Sequence, residues 1–147
     1  MPKITGLLIL CLCFANPLFA QKDSWKIYLD KKLLAQGVEP RSSDTTLITL
    51  KKSRLSGKKM FRIEYTEANP VSLWKRTFIF YDQNESLSSI DFNTSSGMFS
   101  IPMDRIRSLL IEHRRIDLYT FSEPLDEKLA SAIRIRRIFV CRIRMKE

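Results

Sequence analysis

The chain is poor in the residues on which most cofactor, metal and triad chemistry depends. Its 147 residues include four glycines, six prolines, three cysteines and one histidine. So few glycines exclude collagen-like and low-complexity classes, and they leave no glycine-rich loop for a phosphate or a dinucleotide. A zinc site needs three or four ligands, and a hydrolytic triad needs a histidine beside its nucleophile. We therefore expect no cofactor, no metal site and no triad.

The first twenty residues have the layout of a secretory signal peptide. Lys3 supplies a positive start, residues 4–14 are mostly apolar, and Ala20 offers a small residue at a cleavage point. The apolar run is well short of the ~20 residues that a helix needs to cross a bilayer. We expect residues 1–20 to be removed and residues 21–147 to form one periplasmic or secreted domain with no transmembrane segment.

Most of the remaining chain alternates apolar and polar residues with the period of a β-strand. The predicted strands are 25–29, 33–35, 45–50, 61–65, 74–81, 87–92, 98–101, 117–121 and 133–145. One segment has a helical period instead, since Met103, Ile106 and Leu110 define an amphipathic helix over about 103–115. With no βαβ alternation, the pattern predicts an all-β fold: an antiparallel β-sandwich of about 8–9 short strands with one helix in a crossover.

The excess positive charge is concentrated near the end of the chain. The net charge is +9, from 25 Lys and Arg against 16 Asp and Glu. If residues 133–145 form one strand, its even positions place four arginines on one side: Arg134, Arg136, Arg142 and Arg144. A bulge near Arg136-Arg137 would turn Arg137 out of the core. A second basic group, diluted by acids, consists of Arg105, Arg107, Arg114 and Arg115.

The four arginines of the last strand are the candidate binding residues. Such a patch is typical of a polyanion site, and for an exported protein anionic lipid, lipopolysaccharide or acidic glycan fits better than nucleic acid. The alternative is a solvated basic face that keeps the protein soluble and protects a sheet edge.

Other candidate residues have structural interpretations that suit their positions. His113 closes the apolar stripe of the predicted helix, and Cys141 lies on the apolar face of the last strand, where a buried thiol is inert. The S-x-x-K match at residues 72–75 lacks its two companion motifs. The tryptophans and tyrosines could stack on sugar rings, but their spacing suits a core: Trp25, Tyr28, Tyr65, Trp74, Tyr81 and Tyr119. We therefore assign no catalytic residue and no metal ligand.

Three stretches share their pattern with other exported proteins: DSWKIYL at 23–29, WKRT at 74–77 and AIRIRR at 132–137. In these stretches the chain resembles a group of small exported proteins from Bacteroidetes-type bacteria. The resemblance covers most of the chain after the leader, and its motifs are strand patterns rather than site signatures. It implies an exported bacterial protein and assigns no catalytic or binding residue.

The sequence supports two main functional hypotheses. The first is an exported, non-catalytic β-sandwich that serves as a binding or envelope-associated module and contacts polyanionic surfaces through a basic strand face. The alternative is a small glycan-acting hydrolase that uses two unassigned carboxylates, which would lie about 5–10 Å apart in a cleft. The available acids include Glu64, Glu67, Asp91, Asp117, Asp126 and Glu127. A third possibility, a structural subunit that pairs through an exposed strand, predicts a stable oligomer.

Overall fold

A computed structural model describes residues 22–39 and 46–147. The predicted signal peptide at 1–20 and a predicted polar connection at 40–44 lie outside the described residues. The described strands are β1 (Ser24–Leu29), β2 (Lys32–Val38), β3 (Leu47–Lys51), β4 (Met60–Thr66), β5 (Trp74–Asp82), β6 (Glu85–Phe92), β7 (Gly97–Pro102), β8 (Arg115–Pro124) and β9 (Ile138–Lys146). The described helices are α1 (Met103–His113), α2 (Glu127–Ala132) and a 3-10 turn (Lys52–Arg54).

The strands form two sheets that pack against each other. The four-stranded sheet has the order β2-β1-β4-β7, and the five-stranded sheet has the order β3-β9-β8-β5-β6. Helix α1 is the crossover that carries the chain from β7 in the first sheet to β8 in the second. The predicted all-β sandwich with one crossover helix is confirmed. Its pairs are antiparallel except β3–β9, which is parallel; these strands are distant in sequence, so the long connection that a parallel pair requires is available.

The core lies between the sheets because alternate residues of each strand point inward. Phe99 of one sheet meets Phe78 and Phe92 of the other, with the three ring centroids 4.9 to 6.0 Å apart and the rings steeply inclined to one another. β5 is buried on both faces over most of its length, as its apolar pattern predicts. The other large buried side chains include Ile27, Leu50, Leu55, Phe61, Ile63, Phe80, Ile101 and Met103.

Helix α1 ends earlier than the sequence pattern indicates. The amphipathic pattern extends to about residue 115, but the helix ends at His113. Arg114 adopts a left-handed conformation with φ 60°, and its N–H donates to the Leu110 carbonyl, which terminates the helix. Arg115 is therefore free to begin β8.

The last strand is shorter than predicted. β9 begins at Ile138 rather than at residue 133, because β8 pairs with β9 only as far as Thr120–Ile138. Residues 133–137 have no ladder partner, so their Ile-Arg alternation does not make a strand. The bulge lies at Val140 rather than near Arg136, since the pairing passes over Val140.

The most unusual core residue is Arg76, whose side chain is 1% exposed between the sheets. Its guanidinium donates to a Glu67 carboxylate oxygen, to the Ser95 carbonyl and to Thr120 Oγ1. Ser95 Oγ donates to the other oxygen of Glu67 at 2.8 Å, so both carboxylate oxygens have partners. A buried charge needs such complete pairing, because removal from water otherwise costs several kcal/mol.

A stack of planar groups covers the other side of this arginine. The Arg76 guanidinium carbon lies 3.7 Å from the centre of the Tyr65 ring, and Trp25 stacks on Tyr65 at 6.3 Å. Gly37 on the edge strand completes the stack, because a Cβ at that position would lie 2.6 Å from the Trp25 indole. The Tyr65 hydroxyl donates to Asp23, which also accepts from the backbone of Ala68. The stack connects the edge of one sheet to an inner strand of the other.

We predict that Arg76→Met lowers the free energy of unfolding by about 3–5 kcal/mol, because it leaves the Glu67 carboxylate buried without its charge partner. The measurement is the urea unfolding midpoint. The double change Arg76→Met with Glu67→Met should recover part of the loss, since no unpaired charge remains. Arg62→Met is the matched control on the outer face of β4. Equal midpoints for Arg76→Met and Arg62→Met would contradict the prediction.

Candidate functional site

The structure does not bring the four predicted arginines into one patch. Arg134 and Arg136 lie before β9, whereas Arg142 and Arg144 lie within it. At ~3.3 Å per residue, the strand from Ile138 to Arg144 spans about 20 Å. Arg136 instead forms a salt bridge of 2.9 Å with Glu39 at the end of β2.

Arg142 is engaged in an ion pair on the outer face of the five-stranded sheet. It donates two hydrogen bonds, of 2.6 and 2.7 Å, to the two oxygens of Asp117 on the neighbouring strand. This bidentate arrangement raises the pKa of Arg142 above its ordinary value, chiefly through the hydrogen bonds. The Arg142 charge is therefore matched within the protein and contributes little to the attraction of an external anion.

A different group of cations converges at the end of β9. Arg144 pairs in register with Arg115 on β8, and Lys146 pairs in register with Lys51 on β3. We call these four exposed side chains the basic corner: Lys51, Arg115, Arg144 and Lys146. In the described part of the chain none of them forms a salt bridge. Arg144 Nε donates to Thr49 Oγ1 at 3.0 Å, which orients its guanidinium.

Only Arg144 of the basic corner belongs to the arginine set that the sequence predicted. Arg115 was assigned to the second, diluted basic group, and the two lysines occupy strand ends with no distinctive local pattern. The missing information is the strand order, which places β8, β9 and β3 side by side. Once the strand order is known, the four residues can be identified as outward-facing positions that lie opposite one another in the β8–β9 and β3–β9 pairings.

The aromatic residues divide between the core and the outer surface. Trp25 and Tyr65 are buried, as the core interpretation predicts. Tyr81 and Tyr119 are half-exposed on the outer face of the five-stranded sheet, in edge contact at 5.5 Å. Phe139 extends this row, and the Arg137 guanidinium lies 5.7 Å from the Tyr81 ring centre. An arginine of the segment before β9 thus covers part of the aromatic row.

An open pocket of about 570 Å³ lies between α2 and the strands β5, β6 and β8. Its polar floor is Lys75, whose Nζ lies 3.0 Å from Glu123 and 4.0 Å from Asp91. The hydrogen bond to Glu123 raises the pKa of Lys75 above its ordinary value, and the charge of Asp91 adds to the effect. Thr77 Oγ1 donates to the other oxygen of Asp91 at 2.8 Å. The pocket therefore holds three carboxylates, and two of them, Asp91 and Glu123, share the one ammonium group of Lys75 while Glu127 lines the helix side.

The remaining candidate groups have structural roles. His113 Nδ1 lies 2.9 Å from Asp82, so the half-buried imidazole connects the end of α1 to the end of β5. Within residues 22–39 and 46–147 no three potential ligand side chains are grouped as a metal site would need. Across the same residues, no helix has the length and apolarity to span a membrane.

Cys141 is buried on the inner face of β9, and burial raises the pKa of its thiol far above the ordinary value. We predict that iodoacetamide at pH 8 modifies Cys141 at least about a hundredfold more slowly in the folded protein than in urea. The reason is that each ~1.4 kcal/mol of opening free energy slows labelling tenfold. Mass spectrometry of the peptide that contains Cys141 gives both rates. Similar rates would mean that the thiol is accessible.

No protein-family model and no curated protein matches the sequence. The resemblance to small exported bacterial proteins stays a prediction.

Proposed function

We propose that the protein is an exported, non-catalytic binding module of the bacterial envelope, and that it contacts polyanionic surfaces through the basic corner. The observation that carries the proposal is the direct pairing of like charges across neighbouring strands. Arg115 faces Arg144, and Lys51 faces Lys146, in the ladder registers of β8–β9 and β3–β9. Like charges in opposed positions destabilise a sheet, and a bound anion between them removes that cost.

The shape of the basic corner favours an extended anionic surface over a small ligand. Its four cations are exposed strand residues, so they form a shallow charged area rather than a pocket. With Arg144 Nε bonded to Thr49, the remaining guanidinium N–H groups are available for the paired oxygens of a phosphate, sulfate or carboxylate group. Lipopolysaccharide phosphates, acidic glycans and anionic lipid head groups all present such groups in repeated arrays.

We predict that Arg115→Ser with Arg144→Ser weakens binding to heparin, used as a soluble polyanion, by about tenfold at low salt. Two exposed charge contacts of up to ~1 kcal/mol each account for this factor. The dependence of the binding constant on salt should become shallower, because fewer counterions are released.

The matched control is Lys26→Ser with Arg62→Ser, which removes two charges from the outer face of the other sheet. Isothermal titration across a salt series gives each binding constant. If both variants weaken heparin binding equally, net charge alone governs the interaction and the basic corner is not a site.

The alternative function, hydrolysis of a glycan, has one specific observation in its favour. Asp91 and Glu123 both flank Lys75 in the open pocket, so two carboxylates share a concave site of ligand size. A glycosidase, however, needs one protonated carboxylic acid beside one carboxylate. The single ammonium group of Lys75 engages both acids in ion pairs, which suits binding better than acid catalysis.

The two functions are separated by assaying release of reducing ends from acidic envelope glycans. The binding proposal predicts no release above that of a Glu123→Gln variant. Release that disappears in Glu123→Gln and in Asp91→Asn, with unchanged urea midpoints, would establish the hydrolase instead.

A further inference from the structure

Exposed apolar side chains are concentrated at the end of the sandwich that lies farthest from the basic corner. The loop before β5 exposes Leu73 by 78% and Val71 by 48%, and the α2 region exposes Leu129 by 58%. Leu125 and Ile133, on either side of α2, are also exposed. We call this group the α2 tip: Val71, Leu73, Leu125, Leu129 and Ile133. Contiguous exposed apolar surface is uncommon in soluble proteins and marks interaction sites.

Helix α2 is short and lies exposed over the outer face of the five-stranded sheet. It spans Glu127–Ala132 and contains no buried residue. Glu127, Ala130 and Ser131 line the pocket above the sheet, together with Leu125 from just before the helix. Leu129, the large apolar side chain of the helix, is 58% exposed, whereas an ordinary amphipathic helix turns such a residue toward the core. Ile133 at the C-terminal end of the helix is also exposed.

The backbone at Leu73 holds a leucine outward in a conformation that L-residues rarely adopt. Its φ is 63°, in the left-handed region that disfavours a residue with a Cβ. The Leu73 carbonyl accepts from the Leu125 N–H at 2.8 Å, which fixes this loop beside the start of α2. Backbone strain of this kind is concentrated at functional sites. The strained loop and the start of α2 are thus held side by side at one end of the sheet.

Two cations border the exposed apolar side chains. Arg134 directly follows Ile133, is exposed and forms no salt bridge within the described residues, and Lys128 lies exposed within the helix. Arg136 and Arg137 are engaged elsewhere, with Glu39 and with the Tyr81 ring. Among the nearby acids, Asp126 accepts hydrogen bonds from the backbone N–H groups of α2, Glu123 pairs with Lys75, and Glu127 is exposed. Exposed apolar side chains bordered by cations are the composition that binds anionic membrane surfaces.

We propose that the α2 tip inserts its apolar side chains into the surface of an anionic lipid bilayer. Five side chains are too few for a stable protein interface, which usually engages roughly 20–30 residues on each side. They are enough for reversible peripheral insertion when charge attraction adds to it. The proposal goes beyond the polyanion function, because it uses a separate surface and apolar insertion in addition to charge.

The test measures binding to vesicles of phosphatidylglycerol and phosphatidylcholine in equal parts, and to vesicles of phosphatidylcholine alone. The variant Leu73→Ser with Leu129→Ser removes two inserted side chains. The control, Leu33→Ser with Met98→Ser, changes two exposed apolar residues on the other sheet, Leu33 at 45% and Met98 at 56%. We expect the purified protein to sediment with the anionic vesicles, the tip variant to partition at least about tenfold more weakly, and the control to match the unchanged protein.

A second readout separates tip insertion from adsorption through the basic corner. Trp74 directly follows Leu73, so lipids brominated along their acyl chains should quench its emission when the tip inserts. Quenching that persists in Arg115→Ser with Arg144→Ser supports tip insertion even if heparin binding is lost. Vesicle binding without quenching, or equal partition of tip and control variants, would overturn the proposal. So would a dimer of the unchanged protein that Leu73→Ser with Leu129→Ser abolishes, because the tip would then bind a second copy.

Discussion

The buried Arg76 guanidinium is the constraint on which the arrangement of the two sheets depends. Its donors need acceptors that the apolar core does not supply, and each acceptor comes from a different segment: Glu67 after β4, Ser95 before β7 and Thr120 on β8. Because Arg76 belongs to one sheet and Glu67 directly follows β4 of the other, their ion pair fixes the distance between the sheets at this end. Apolar contacts are non-directional, whereas this network allows one relative placement.

The same network determines what the neighbouring surface can do. Arg76 is the third residue of β5, so its pairing also fixes the strand start, from which Leu73 projects. The next strand, β8, pairs Pro124 with Trp74, and α2 follows at once. Leu73 and Leu125 are joined by the hydrogen bond from the Leu125 N–H to the Leu73 carbonyl. The loop before β5 and the start of α2 are therefore anchored to strand ends whose position the Arg76 network fixes.

Sequence patterns predicted the elements well and the site poorly, for a physical reason. The periodic pattern of apolar residues depends on one element at a time, so the sequence predicts the bounds of β1, β4, β5 and α1 closely. The four arginines do not share one strand face, because pairing decides where β9 begins, and Arg142 has an acid partner on another strand. Arg76 lies two residues from both Trp74 and Phe78, so all three are on the same face of β5. This alternation was the available signal that Arg76 points into the core. Its partners could not be identified without the sheet order.

The protein thus has two candidate contact surfaces at opposite ends of the five-stranded sheet, and electrostatics keeps them independent. Charges in physiological salt are screened over ~8 Å, whereas β9 alone separates the two ends by about 20 Å. An anion at Arg144 is therefore not attracted by Arg134, and a bilayer at Leu73 does not depend on Lys51. The net charge of +9 favours anion binding only at particular places on the surface. One is the basic corner, where cations lie together without carboxylates. The other is the α2 tip, where cations border exposed leucines. The two proposals together describe a molecule that would hold a membrane at one end and a polyanion at the other, with its core setting the distance between them.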